Sequence, residues 1–202
     1  VHGHKVLTIP HKEGKIYPAQ IREYMVHFHA DGNNAHMVQP RLVYLSQPTE
    51  FGTLYSLQEL KDIREICNAY SLSLYVDGAR LAYALACPEN DVRLPDLAKL
   101  CDAFYIGGTK CGALFGEAVV IPEKRNFPFF PTTIKQHGAL LAKGKALGVQ
   151  FDALFTDDLY LQIGKHAIEL ADTIRSALRK KGIPLAVSSP TNHIFIRLKK
   201  EE

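Results

Sequence analysis

Short apolar runs alternate with amphipathic stretches along the chain. Val6 to Ile9, Leu42 to Leu45, Leu72 to Val76, Ala103 to Ile106 and Ala118 to Ile121 are near-continuous apolar runs bounded by turn residues. Such runs predict strands buried on both faces, in a parallel or mixed sheet covered by helices. Between them, Ser56 and Glu59 have capping-box spacing and predict a helix from Leu57, with Leu57, Leu60, Ile63, Cys67 and Tyr70 on its apolar face. A second helix is predicted over about Ile134 to Leu147. Thr156, Asp157 and Asp158 predict the start of a third, with acids near its positive end. Ile163, Ala167, Leu170, Ile174 and Leu178 make its predicted apolar face, and Arg179, Lys180, Lys181 and Gly182 close it. The segment Glu123 to Thr133, with Phe127, Phe129 and Phe130 among prolines, reads as a packed loop and as an interdomain or subunit contact.

This pattern predicts an α/β, three-layered class with an open sheet over residues 1 to about 122. In such sheets ligands bind beyond the carboxyl ends of the strands. Three segments lie there: Ser46 to Thr53, Asp77 to Arg80 and Gly107 to Gly112. Asp77 directly follows an apolar strand and points toward the crevice; taken alone, it reads equally as a helix cap beside a surface arginine. Lys110 follows a strand ending in Gly107 and Gly108. A lysine there has little to solvate it, and lost solvation favours the neutral, nucleophilic amine that forms Schiff bases. A turn lysine in solvent is the plainer alternative. The loop after the first of these strands offers Ser46, Gln47, Thr49 and Glu50 to a polar ligand.

Composition narrows the classes. The 202 residues are 47% hydrophobic and 22% charged, as in an ordinary globular fold, which excludes disorder and disulfide scaffolds. A net charge of +3, with no long basic block, predicts neither a nucleic-acid nor a membrane partner. Cys67, Cys87, Cys101 and Cys111 form no C-x-x-C pair, so reduced thiols in a cytoplasm are expected. No run approaches the apolar length of a membrane span. Val1 rather than Met opens the chain, which predicts a processed chain or a piece of a longer protein.

No G-x-G-x-x-G is present, and Cys111 after Lys110 breaks the G-x-x-x-x-G-K-[S/T] pattern. His27 and His29 form an H-x-H pair without a further ligand, so no metal site is expected. Cys111 has no base positioned by sequence and reads as a packing residue. What Asp77 and Lys110 fit together is pyridoxal phosphate: the lysine holds the aldehyde as an imine, and the carboxylate keeps the pyridine nitrogen protonated.

The chain resembles the low-specificity threonine aldolases, which are grouped with the beta-eliminating lyases among the aspartate-aminotransferase-like pyridoxal phosphate enzymes. The residues that carry the resemblance are Ser46-Gln47-Pro48-Thr49-Glu50-Phe51-Gly52-Thr53, Asp77-Gly78-Ala79-Arg80-Leu81, Tyr105-Ile106-Gly107-Gly108-Thr109-Lys110 and the run from Lys135 to Gly144. It implies the fold-type-I three-layer sandwich, with residues 1–150 as the cofactor-binding large domain and 151–202 as the start of a smaller C-terminal α/β domain. It implies pyridoxal 5'-phosphate as cofactor, bound by Lys110, Asp77, Arg80, Thr109 and Lys135. Lys110, Asp77 and Arg80 are then the catalytic set, with Arg80 reaching the cofactor phenolic oxygen and the substrate carboxylate side.

Lys135 stands where relatives often carry an arginine that reaches a neighbouring subunit's cofactor phosphate. It keeps the charge and loses the fork, and it implies a homodimer or homotetramer. Glu50 stands where a histidine near the substrate hydroxyl is common; Glu50 and Ser46 are the candidate substrate contacts. The implied reaction is cleavage of a small amino-acid substrate, threonine or allo-threonine, to glycine and an aldehyde. Another pyridoxal phosphate lyase and a catalytically incomplete subunit are the alternatives. Relatives are longer at both ends, and their Gly-Thr phosphate loop and ring-stacking histidine have no counterpart here. His2 and His4, at the start of the first predicted strand, are not matched to that histidine, and the arginine that binds the substrate carboxylate is expected beyond Glu202.

Overall fold

The computed structural model describes residues 3–123 and 127–198. His2 lies outside the described residues, as do Lys124, Arg125 and Asn126 within the Pro/Phe segment. The elements run α1 (Pro18–Ala30), β1 (Leu42–Ser46), α2 (Leu57–Ala69), β2 (Ser73–Asp77), α3 (Leu81–Ala86), α4 (Leu94–Leu100), β3 (Ala103–Gly107), β4 (Glu117–Val120), α5 (Phe130–Gln136), α6 (Lys145–Phe155) and α7 (Leu159–Lys180). The sheet has the order β1-β2-β3-β4. The first three strands are parallel, and β4 returns antiparallel to β3.

One face of the sheet supplies Val43, Leu45, Leu74, Val76, Phe104 and Ile106 to a core completed by Ile21 and Met25 of α1, Leu60 and Ile63 of α2, Leu81 of α3, Leu97 of α4 and Tyr160 of α7. β1 and β2 therefore alternate buried and open positions instead of being buried on both faces, whereas β3 is buried at every position but Tyr105. The opposite face carries Tyr44, Tyr75 and Tyr105 in a row, with ring centroids 5.5 and 6.4 Å apart. Tyr44 is 54% exposed, and Leu42 and Val119 are exposed beside it. Apolar composition alone does not distinguish this open aromatic face from a covered one.

Helix α2 begins as expected. The Ser56 amide donates to Glu59 Oε2 at 2.7 Å and the Glu59 amide donates to Ser56 Oγ at 3.2 Å. Glu59 also takes the Lys15 ammonium at 2.6 Å, which fastens the N-terminal segment to α2.

Other expectations change. Val6 to Ile9 is not a strand, and Val6 is 83% exposed: among the described residues no neighbouring strand pairs with it. The helix expected over Ile134 to Leu147 divides into α5 and α6, because Gly138 takes φ +69° and its amide turns back to the Lys135 carbonyl. Helix α7 buries Tyr160, Gly164, Ile168, Ala171 and Arg175, whereas Leu170 and Ile174 of the expected apolar face are each about half exposed. The phase is set by close approach. A Cβ on Gly164 would stand 2.3 Å from the Ala82 carbonyl oxygen, so α7 lies directly against the backbone of α3.

Candidate active site

Asp77 and Lys110 arise at the ends of adjacent parallel strands, as the sequence implies. Asp77 is the last residue of β2. The Gly107 amide, at the end of β3, donates to the Gly78 carbonyl at 2.9 Å and holds the two strand ends together. A Cβ on Gly78 would meet the Tyr105 carbonyl oxygen at 2.0 Å, and one on Gly107 would meet that of Ala79 at 2.3 Å. These glycines serve the chain's own backbone contact.

Asp77 lies on the open tyrosine face. Its carboxylate accepts from the Tyr44 hydroxyl and from the Ala79 amide at 2.9 Å. Burial first, and then the Asp77 carboxylate, push the Tyr44 and Tyr105 phenols well above the ordinary tyrosine value, so both remain donors. No cation pairs with Asp77 among the described residues. The sequence reading missed both tyrosines. Their signal was phase, since Tyr44 and Tyr105 share the open face with Asp77.

Lys110 differs from its expected setting. Its side chain is exposed rather than desolvated, because the loop at the sheet's carboxyl edge opens outward. Its ammonium makes no hydrogen bond or ion pair among the described residues. The backbone beneath it is fixed: Tyr83 donates its hydroxyl to the Lys110 carbonyl, and Tyr160 donates to the Gly107 carbonyl at 2.9 Å. Cys111 is buried, with Sγ donating to the Gly107 carbonyl at 3.0 Å. Burial pushes this thiol up to about 11, as suits a packing residue.

Arg80 caps α3 at its N-terminus and pairs with Glu50 at 3.5 Å, although the Glu50 side chain is 72% exposed. Ser46 ends β1 in register with Asp77. Thr109 donates its hydroxyl to Glu117 Oε1 at 2.7 Å, and the Gly108 amide donates to the other oxygen of Glu117. Glu117, on β4, gave no sequence signal. Gln47 and Thr49 are not ligand-facing. The buried Gln47 amide exchanges two hydrogen bonds with the Tyr55 backbone, at 3.0 and 2.9 Å, and buried Thr49 bonds Thr53 at 2.7 Å. The peptide bond before Pro48 is cis. Lys135 lies exposed on α5, and no hydrogen bond or ion pair joins it to Asp77, Arg80 or Lys110. His27 and His29 are exposed on α1, with His29 stacked on Tyr70 at 5.8 Å.

A second region reaches this site from the far end of the chain. Arg175, buried on α7, donates to the carbonyls of Ser189, Pro190 and Thr191 and shapes them into a tip. Ser189 and Thr191 donate their hydroxyls to the Gly52 carbonyl at 3.1 and 3.2 Å. His193 follows, stacked on Phe195 with ring planes 4° apart. Burial first, then the Arg80 cation, push its imidazole below the ordinary histidine value; Glu50 opposes this and Lys110 adds to it.

With this geometry in place, the relatives can be set beside it. The pattern of the beta-eliminating lyases matches residues 1–200. Low specificity L-threonine aldolase from a Pseudomonas species is 31% identical over 200 residues, covering 97% of this chain and 56% of the relative. The Pseudomonas aeruginosa protein of the same name is 30% identical, with the same coverage. A solved threonine aldolase structure from Leishmania major has a TM-score of 0.90 and 46% identity, over 96% of this chain and 56% of that one. The chain thus spans about half the length of the relatives it matches. Mouse CSAD, with a TM-score of 0.59 at 15% identity, shares the fold. The match to the beta-eliminating lyases spans almost the whole chain, and the chain belongs to that family.

Proposed function

We propose that the protein cleaves a β-hydroxy-α-amino acid, threonine or allo-threonine, to glycine and an aldehyde, with pyridoxal 5'-phosphate as cofactor. The observation that carries this reading is the placement of Asp77 and Lys110 at neighbouring strand ends. The residues fit the cofactor. A carboxylate with two donors and no cation among the described residues suits a protonated ring nitrogen, and an exposed, unpaired amine suits an aldehyde. Bound there, the cofactor supplies the aldehyde that captures the amino group and a ring that accepts the electrons of the broken Cα–Cβ bond.

The chain's own residues do the rest. Asp77, oriented by Tyr44 and the Ala79 amide, would hold the proton on the ring nitrogen. Lys110 would hold the cofactor through its exposed amine. Arg80 offers its guanidinium to the phenolic oxygen and the substrate carboxylate side, with Glu50 limiting its swing. Thr109, next to Lys110 in sequence and with its hydroxyl directed to Glu117, would contact the cofactor. Ser46 and Glu50 border the substrate space.

Lys135 is assigned to the cofactor phosphate of a neighbouring subunit, in a homodimer or homotetramer. Exposed Phe129, Leu140 and Leu141 around α5 support burial between copies. We place residues 1–150 in a cofactor-binding domain and 151–202 in the start of a second. A cytoplasmic setting suits four buried, free cysteines. Among the described residues, no helix is long and apolar enough to cross a membrane.

Product analysis of the full-length protein loaded with cofactor tests the reading. Glycine and acetaldehyde from threonine are expected. Ammonia and a keto acid would replace it with an elimination.

A further inference from the structure

Two glycines, Gly107 and Gly108, precede Lys110, and glycine leaves a backbone freer than any other residue. The direction in which the Lys110 side chain leaves the chain therefore depends on what holds this turn. Within it, the Cys111 and Ala113 amides both return to the Gly108 carbonyl, each at 3.0 Å. Beyond it, Tyr83 donates its hydroxyl to the Lys110 carbonyl. Two further bonds reach the turn from β4, and both end on one side chain. Glu117 accepts from the Gly108 amide on Oε2 and from the Thr109 hydroxyl on Oε1, the latter at 2.7 Å.

The surroundings hold Glu117 in place for this. It pairs in register with Gly107, so it stands opposite the end of β3. A Cβ on Gly108 would meet the Gly116 carbonyl oxygen at 2.9 Å, so the turn lies against the backbone that leads into β4. That backbone is braced by Gln150 of α6, whose side chain accepts from the Leu114 amide at 2.7 Å and donates to the Phe115 carbonyl at 3.1 Å. Among the described residues no cation pairs with Glu117. Both of its oxygens serve the turn, and an ionised acceptor makes the stronger kind of hydrogen bond.

We propose that Glu117 is a positioning residue for the Lys110 amine: it fixes the turn at Gly108 and Thr109, so that the amine is presented to the cofactor aldehyde from one direction. This rests on the functional reading above. The flexible four-carbon stem of a lysine lets its amine reach many places, and orienting a reacting group raises its rate only where the backbone beneath it is held. Without the carboxylate, Gly108 regains its freedom and the amine searches a wider arc.

The test uses the full-length protein, freed of cofactor and then supplied with pyridoxal phosphate. Capture joins the Lys110 nitrogen to the aldehyde carbon and releases water, and the bound cofactor absorbs visible light. Three readings are taken: the rate of capture, the visible circular dichroism per bound cofactor, and the thermal melt of the cofactor-free protein. Glu117→Ala is expected to slow capture about tenfold and to change the circular dichroism. Glu117→Gln keeps one acceptor oxygen and should slow capture about threefold. If the alanine variant fails to fold, the glutamine variant decides by the same readings. A lower melting temperature with wild-type capture and circular dichroism would make Glu117 a structural residue only; that overturns the proposal and leaves the functional reading intact. A wild-type protein that captures no pyridoxal phosphate on Lys110 would overturn both.

Discussion

The Tyr160 hydroxyl donates to the Gly107 carbonyl at 2.9 Å, tying α7 to the end of β3 just before Lys110. Both groups are buried, and burial drives the Tyr160 phenol far above its ordinary value, so it stays a donor across the working pH range. Tyr160→Phe removes that donor and leaves the carbonyl to the weaker Cys111 thiol. Denaturant unfolding should show a loss of about 0.5–1.5 kcal/mol. An unchanged midpoint would mean that another donor, or water, takes the carbonyl.

The contact between α7 and α3 is tested at Gly164. An added methyl would meet backbone rather than a movable side chain, at 2.3 Å from the Ala82 oxygen. Gly164→Ala should destabilise by about 1–3 kcal/mol despite its better helix propensity. A thermal melt showing stabilisation would mean that α7 has room to shift.

Lys110 and Asp77 should separate in their effects on the full-length protein. Borohydride reduction with pyridoxal phosphate should attach the cofactor to Lys110, as read by peptide mapping, and Lys110→Ala should abolish that adduct. Asp77→Asn should still form it, while weakening cofactor binding about tenfold and removing most turnover. An adduct on Lys135 or Lys143 would contradict the assignment of the amine.

Acid should loosen the N-terminal segment through Glu59. Burial opposes ionisation of this carboxyl, yet Lys15 and Ser56 outweigh it and hold its pKa below the ordinary 4.5. A depressed folded-state pKa means that the contribution is whole above the unfolded value and is lost as pH falls through the folded one. Glu59→Gln should therefore cost about 1–2 kcal/mol at neutral pH, and this difference should shrink as the pH drops below 4.5. A gap between wild type and variant that stays constant from pH 7 to pH 3 would refute the linkage.

Much of the fold was legible because its signals are local. The capping box of Ser56 and Glu59 needs four residues, and strand ends follow from short apolar runs. Asp77, Arg80 and Lys110 were found by their place just after such runs. Other features depend on distant partners. The face of α7 was misjudged because Gly164 and Ala171 define it by backbone proximity, which hydrophobicity does not register. Gln47 and Thr49 resembled ligand groups, yet they satisfy Tyr55 and Thr53 in a buried loop. His193, more than eighty residues beyond Lys110 in sequence, is brought near Gly52 by the grip of Arg175 on the carbonyls before it and by the Ser189 and Thr191 hydroxyls.

At Gly78 and Gly107 there is no side chain between the ends of β2 and β3, and main chain rests on main chain. The spacing of acid and amine is therefore gauged by peptide geometry, which mutation of neighbouring side chains barely alters. Residues around the pair, such as Glu50, Ser46 and His193, can vary without displacing it. Substrate preference can then drift within this scaffold while the seat of the cofactor stays constant.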